Sequence, residues 1–196
     1  MKKVLISLIE QALNQVSQDY YRLRTTYSTE GIVRERVFCY ELYHQMRKIQ
    51  DSGESCQYHI HGEIDKRAHE LFAREDQKNP DFVFHCPGSM GENALVVEVK
   101  GKLTVAEAIK DFDTLKIFCA KYGYQKGLWL LYNHDLEEAM KALQEVLSSG
   151  NLDKYVDIVP KITIMCKKSC DTPIQKVPMA KLLKDTREQI ICPNLT

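Results

Sequence analysis

The sequence predicts a mixed α/β fold, one sheet with helices on both faces, and three stretches carry the prediction. Two short apolar runs, Phe82–Phe84 and Ala94–Val99, flank a loop containing Pro87, Gly88 and Gly91, the pattern of a strand hairpin. Downstream, Thr104 and Glu107 have capping-box spacing, and Val105, Ala108, Ile109, Phe112, Leu115, Cys119 and Tyr122 recur at helical intervals up to Gly123. Gly127–Tyr132 is then a continuous apolar run, as in a strand buried on both faces. Hairpin strands joined by a helical crossover to a further strand make a mixed sheet covered on both sides.

Length and composition set the bounds. The 196 residues suit a single domain over 1–196, with a helix at 1–25 packed on a core at about 30–133 and additions at 134–196. Apolar content of 44% and charged content of 28% are those of an ordinary globular protein. The 27 basic residues balance 27 acidic ones, which excludes a global polyanion-binding charge and leaves any such role to local patches. Such patches exist: Lys161–Arg187 holds seven Lys/Arg against two Asp, and Asn133–Asp157 six acids against two lysines. Seven scattered cysteines, an odd number, fit reduced thiols rather than a disulfide framework. The apolar run at Met1–Ile9 is cut off by Glu10, Gln11 and Asn14, short of a signal peptide, and nothing approaches a membrane span. A cytoplasmic protein is expected.

In chain order, Val4, Leu5, Leu8, Ile9, Ala12, Leu13 and Val16 predict an amphipathic packing helix over 3–24, with a break at 25–31. A second helix is expected from about Thr29 to Gln50, with Phe38, Leu42, Met46 and Ile49 as its apolar stripe and Ser52-Gly53 as its stop. Glu41, three residues past Phe38, falls about 60° from that stripe, at the core boundary. Residues 57–65 alternate as a strand, with Tyr58, Ile60, Gly62 and Ile64 on one side and His59, His61, Glu63 and Asp65 on the other. Residues 66–79 are expected as a charged loop, with a short helix around Ala68–Ala73. After the hairpin, crossover helix and apolar strand, Asp135–Glu138 caps another helix that Gly150 closes. Val156–Cys166 is a strand interrupted by Pro160, hence expected at an edge or late in the sheet, and 178–191 a terminal helix.

The hairpin carries the chemistry. Alternation puts Asp81 on the face of Val83 and His85, and Glu98 on the face of Val96 and Lys100. Pairing the two strands brings both carboxylates to one end of the sheet. Two convergent carboxylates and a nearby backbone carbonyl form a hard-oxygen site suited to Mg²⁺ or Mn²⁺. Lys100 can position a water or stabilise charge on a phosphate, so metal-assisted phosphodiester hydrolysis is the expected use. A transition-metal site at His59, His61 and Glu63 competes with a plain solvated strand face. Cys166, Cys170 and Cys192 lack a fourth ligand at zinc-site spacing. No P-loop and no Ser-His-Asp arrangement stands out.

Pro80-Asp81 followed by Glu98-Val99-Lys100, downstream of a helix carrying Glu41, resembles the PD-(D/E)XK nuclease superfamily and its restriction-endonuclease-like fold. The resemblance extends to element order over about residues 30–133, and Tyr40–Gln45 with Gly62-Glu63 is similar to small bacterial members. It implies Asp81, Glu98 and the Val99 carbonyl as metal ligands, Glu41 completing the metal shell, and Lys100 orienting or activating the attacking water. It further implies nucleic acid, DNA above all, as partner, and a second copy or partner subunit for recognition. The alternative on the same fold is a catalytically inactive nucleic-acid-binding or protein-interaction module. For that role the basic run Lys161, Lys167, Lys168, Lys176, Lys181, Lys184 and Arg187 offers phosphate contacts.

Overall fold

The computed structural model describes residues 2–53, 57–63, 78–148 and 152–184. Their elements in chain order are α1 (Lys2–Leu13), α2 (Gln18–Tyr21), β1 (Leu23–Thr25), β2 (Ser28–Ile32), α3 (Glu35–Ser52), β3 (His59–Gly62), β4 (Phe82–His85) and β5 (Asn93–Lys100). They continue with α4 (Val105–Lys116), β6 (Lys126–Tyr132), α5 (Leu136–Ser148), β7 (Ile162–Lys167) and β8 (Gln175–Pro178). Residues 179–184 are helical.

Six strands form one mixed sheet in the order β3-β4-β5-β6-β7-β8, and β1-β2 form a separate two-stranded ribbon. β3, β4 and β5 make an antiparallel meander. The crossovers through α4 and α5 then make β5, β6 and β7 parallel, and β8 closes the edge antiparallel. Because side chains alternate along a strand, the core divides into two layers. Val83, Val96, Trp129, Leu131 and Ile164 meet α4 and α5 on one face. Phe82, Leu95, Val97, Val99 and Leu130 meet α1 and α3 on the other. Helices therefore cover both faces of a mixed α/β sheet, as expected. Among the described residues no helix is long and apolar enough to cross a membrane.

Several boundaries differ from the sequence-based expectation, each for a physical reason. The first helix stops at Leu13 rather than near residue 24, because the chain turns twice and then enters the β1-β2 hairpin. That hairpin occupies the expected break. Gly31 sits at φ 72°, a left-handed conformation open to glycine, where an added Cβ would meet Arg22 and Leu23 at 3.1 Å. The second helix consequently begins at Glu35, not Thr29. Pro160 lies in a short 3₁₀ turn (Val159–Lys161) ahead of β7, so the strand begins at Ile162 rather than Val156 and is not interrupted by proline; of the two expected placements it takes the late one, beside the edge. The edge is β8, a short polar strand. The expected helix around Ala68–Ala73, the end of the strand at Ile64-Asp65, Gly150 and the terminal helix beyond residue 184 lie outside the described residues.

The two capping boxes behave differently. At α5 the box is reciprocal: Asp135 Oδ1 accepts from the Glu138 amide (3.0 Å) and Glu138 Oε2 from the Asp135 amide (2.9 Å). At α4 only half forms. Thr104 Oγ1 accepts from the Glu107 amide (3.3 Å), while the Glu107 carboxylate turns to Lys100 at 3.3 Å. That diversion leads to the site.

Candidate active site

β4 and β5 pair with Phe82 opposite Val97 and Val83 opposite Val96. The same register carried one step further sets Asp81 opposite Glu98, both on the face of Val96 and Lys100. The Asp81 Oδ2 accepts from the Val99 amide at 2.7 Å, which ties the start of β4 to the end of β5. The structure thus brings Asp81, Glu98, Val99 and Lys100 to one end of the meander.

Lys100 is the cation of the group and is buried at 6% exposure. Its Nζ lies 3.1 Å from Glu35 Oε1, 3.3 Å from Glu107 Oε2 and 3.5 Å from Asp111 Oδ1. Glu35 reaches from the first turn of α3, and its second oxygen accepts from the Gly101 amide at 3.3 Å. Asp111 comes from α4 and is fixed from behind by Trp129 Nε1 at 2.9 Å. Gly101 is required here, because a Cβ would sit 2.2 Å from the Tyr132 ring. One lysine therefore fastens both helix faces to the end of β5.

Burial sets the electrostatics. Desolvation pushes the Asp81 carboxyl up to about 7, with the Val99 hydrogen bond opposing and Glu35 reinforcing the rise. Glu98 is held well above the usual carboxylate range by burial, then by Asp81 and Asp111. Asp111 is raised to about 6 by burial, against the pull of Lys100 and the Trp129 hydrogen bond. Burial works to lower Lys100, but Asp111, Glu35 and Asp81 outweigh it and keep the ammonium charged. The thiol of Cys39 is pushed well up by burial and by the nearby Asp81, Glu35 and Glu98, so it stays protonated.

Whether this donor set suits a divalent cation turns on one atom. Glu98 Oε1 is buried and, among the described residues, has no hydrogen-bond partner. A buried carboxylate oxygen left without a donor is costly unless a proton or a cation reaches it. Oxygen ligands only, one or two of them carboxylates, are what Mg²⁺ accepts while keeping waters. Among the described residues no group of three or more His, Cys, Asp or Glu side chains could hold a metal ion, so a cation here would draw at most on Asp81, Glu98 and backbone oxygen. The unpartnered Glu98 Oε1 is the one feature that would suit a partly hydrated hard cation.

Glu41 is not brought to this cluster. Its Oε1 accepts from Gln45 Nε2 at 2.6 Å, within α3. Six residues separate it from Glu35, or about 120° around the helix. Relative to Phe38, the two acids stand about 60° to either side, and only Glu35 is on the side of Cys39, Tyr43 and the sheet end. The acid that α3 contributes is Glu35, in the first turn of the helix, and no signal in the sequence prefers it to Glu41. Glu35→Ala is expected to lower metal-dependent activity at least about tenfold, by freeing Lys100 and the Gly101 amide, whereas Glu41→Ala stays within about twofold of wild type. Parallel initial rates on purified variants check this.

The competing clusters are otherwise engaged. Glu63 pairs with Arg36 at 3.0 Å, and His61 Nδ1 meets His85 Nε2 at 2.8 Å, so His59, His61 and Glu63 do not converge. In the basic run, Lys161 donates to the Cys119 carbonyl, Lys167 is buried against Asn14 and Thr172, Lys168 pairs with Asp135, and Lys176 with Glu10. Arg187 lies outside the described residues. Four of the seven charges are thus committed to internal partners.

A cavity of about 700 Å³ opens beside the cluster, between α3 and the ends of β3 and β4, lined by Cys39, Tyr40, Tyr43, Glu63, Asp81 and Phe82. Comparisons with family models, with curated proteins and with solved structures find no match for this chain.

Proposed function

We propose that the chain is a Mg²⁺- or Mn²⁺-dependent phosphodiesterase acting on nucleic acid, most simply DNA, in the cytoplasm, on a restriction-endonuclease-like sheet. The observation that carries it is the orphaned, buried Glu98 Oε1 opposite Asp81 at a strand end that also bears Lys100. The motif Pro80-Asp81 with Glu98-Val99-Lys100 supports the same reading through its resemblance to PD-(D/E)XK nucleases. Asp81, Glu98 and the Val99 carbonyl would hold the cation. When bound, it supplies Lewis-acid polarisation of a phosphoryl oxygen and lowers the pKa of a bound water.

The chain's own groups do the rest. Glu35, Glu107 and Asp111 keep the Lys100 ammonium charged and fixed at the end of β5, and it would donate to a phosphate by exchanging one of these three partners for it. The raised Asp81 and Glu98 carboxyls hold protons in the cation-free chain and must release them to act as ligands. Their burial keeps bulk water from diluting the charge of the site.

The test is incubation of purified protein with supercoiled plasmid and single-stranded DNA in Mg²⁺, Mn²⁺ or EDTA. Nicking or shortening is expected with either metal, lost in EDTA and lost on Asp81→Ala. Absence of metal-dependent cleavage, or full activity of Asp81→Ala, overturns the reading. One observation favours a second reading: Lys100 already has three carboxylate partners, as a purely structural tether would. On an inactive binding module, nucleic-acid affinity would be metal-independent and equal for wild type and Lys100→Ala.

A further inference from the structure

The cavity beside Asp81 says what form of nucleic acid fits. Its volume, about 700 Å³, lies within the ~300–1,000 Å³ of ordinary ligand sites. Its walls are aromatic. Tyr40 lines it and is 63% exposed, a large ring left open to solvent on the outer face of α3. Tyr43 lines it too and lies nearly parallel to Phe82, at 15° and 6.4 Å between centroids. Backbone atoms and the Glu63 carboxylate add polar edges, and Glu63 is held by Arg36 at 3.0 Å.

Charge points the same way. Gripping a duplex takes many Lys/Arg contacts to phosphates, and the net charge here is zero. The most basic stretch spends Lys161, Lys167, Lys168 and Lys176 on internal partners. Among the described residues, Arg36 is a cation paired with the cavity's lining, through Glu63. Exposed aromatic walls are the equipment of single-strand binding, where bases stack on side-chain rings. A base inside a duplex would first have to leave its stack and its pair to enter, at a cost of roughly a few kcal/mol that a single strand largely escapes.

We infer that the site takes single-stranded nucleic acid, with the base next to the attacked phosphate seated between Tyr40 and Tyr43. The inference rests on the hydrolytic reading of the Asp81–Glu98 cluster, because it is the cavity's opening onto Asp81 that makes its occupant a substrate.

The experiment is fluorescence anisotropy of the full chain with labelled oligodeoxyuridylate, oligouridylate and a duplex of equal length, all in EDTA so that nothing is cut. At least about tenfold tighter binding to single strands than to duplex is expected. Tyr40→Ala should weaken single-strand binding about 5–100-fold, the range of one lost base stack, with Tyr40→Phe close to wild type. The tighter of the two single strands names the sugar. Equal affinity for duplex, or Tyr40→Ala binding as wild type, overturns the inference. Since binding is read without metal, its failure with cleavage intact removes only this inference. Selective, Tyr40-dependent binding with no cleavage in any metal removes the hydrolytic reading and leaves a single-strand-binding site.

Discussion

Lys100→Ala is expected to cut metal-dependent cleavage by about 10²–10³-fold, the usual cost of deleting one preorganised charge donor from a phosphoryl site. The same change should destabilise the fold by about 3 kcal/mol, the low end for stripping one partner from a buried ion pair. The low end applies because two of the three carboxylates left behind, Glu35 and Glu107, are 35% and 44% exposed and can rehydrate. Asp111, at 2% exposure, cannot. With its carboxyl raised to about 6 even beside Lys100, it will take up a proton once the ammonium is gone. The stability loss should therefore shrink below pH 6 and grow above it. Urea titrations at pH 5.5 and 8, with cleavage assayed well below the variant's melting temperature, separate the two effects. A variant that is destabilised but still cuts would reduce Lys100 to a tether.

How much of this was legible in the sequence follows from which periodicity each residue obeys. The hairpin was legible because period-two alternation and a Pro/Gly loop leave one register that buries Val83 against Val96, and that register places Asp81 opposite Glu98. The crossover helix and the Gly127–Tyr132 strand followed from long, uninterrupted apolar patterns. The α3 acid was not legible, because helical periodicity places Glu35 and Glu41 symmetrically about Phe38 and offers no means of choosing. Only tertiary structure, the turn of α3 toward the end of β5, breaks the tie. The β1-β2 ribbon and β8 escaped because Leu23–Thr25 and Gln175–Pro178 are short, mostly exposed strands whose apolar signal is weak. Glu107 was assigned to a cap by its spacing, yet a buried ammonium 3.3 Å away outcompetes a solvated backbone amide for its carboxylate. Asp111 lay hidden inside the apolar stripe of α4, beside Phe112, and only the Trp129 indole and Lys100 explain an acid buried to 1% there.

Glu98→Gln separates function from stability in the opposite direction. Glu98 in the folded chain titrates well above an ordinary glutamate, first because it is buried and then because Asp81 and Asp111 crowd it. The folded state then binds a proton more tightly than the unfolded one, so this group's contribution to stability is full below the unfolded value near 4.5 and is lost as pH rises toward the folded one. Glutamine keeps the shape of the protonated side chain and never ionises. In metal-free buffer, Glu98→Gln should match wild type near pH 4.5 and exceed it by about 1–3 kcal/mol at pH 8, the cost of a buried oxygen without a donor. A divalent cation should erase that advantage, stabilising wild type in proportion to ln(1 + [Mg²⁺]/Kd) and leaving the variant unmoved. Because Asp81 must also lose a proton, from a carboxyl raised to about 7, the Mg²⁺-induced rise in melting temperature should grow across pH 6–8. Thermal melts of both proteins with and without Mg²⁺ at three pH values read this directly. A wild type whose melting temperature ignores Mg²⁺ at pH 8 would mean that Glu98 is a buried acid kept for some other purpose. A site that costs stability when empty and recovers it on loading is the signature of selection for ligation over packing.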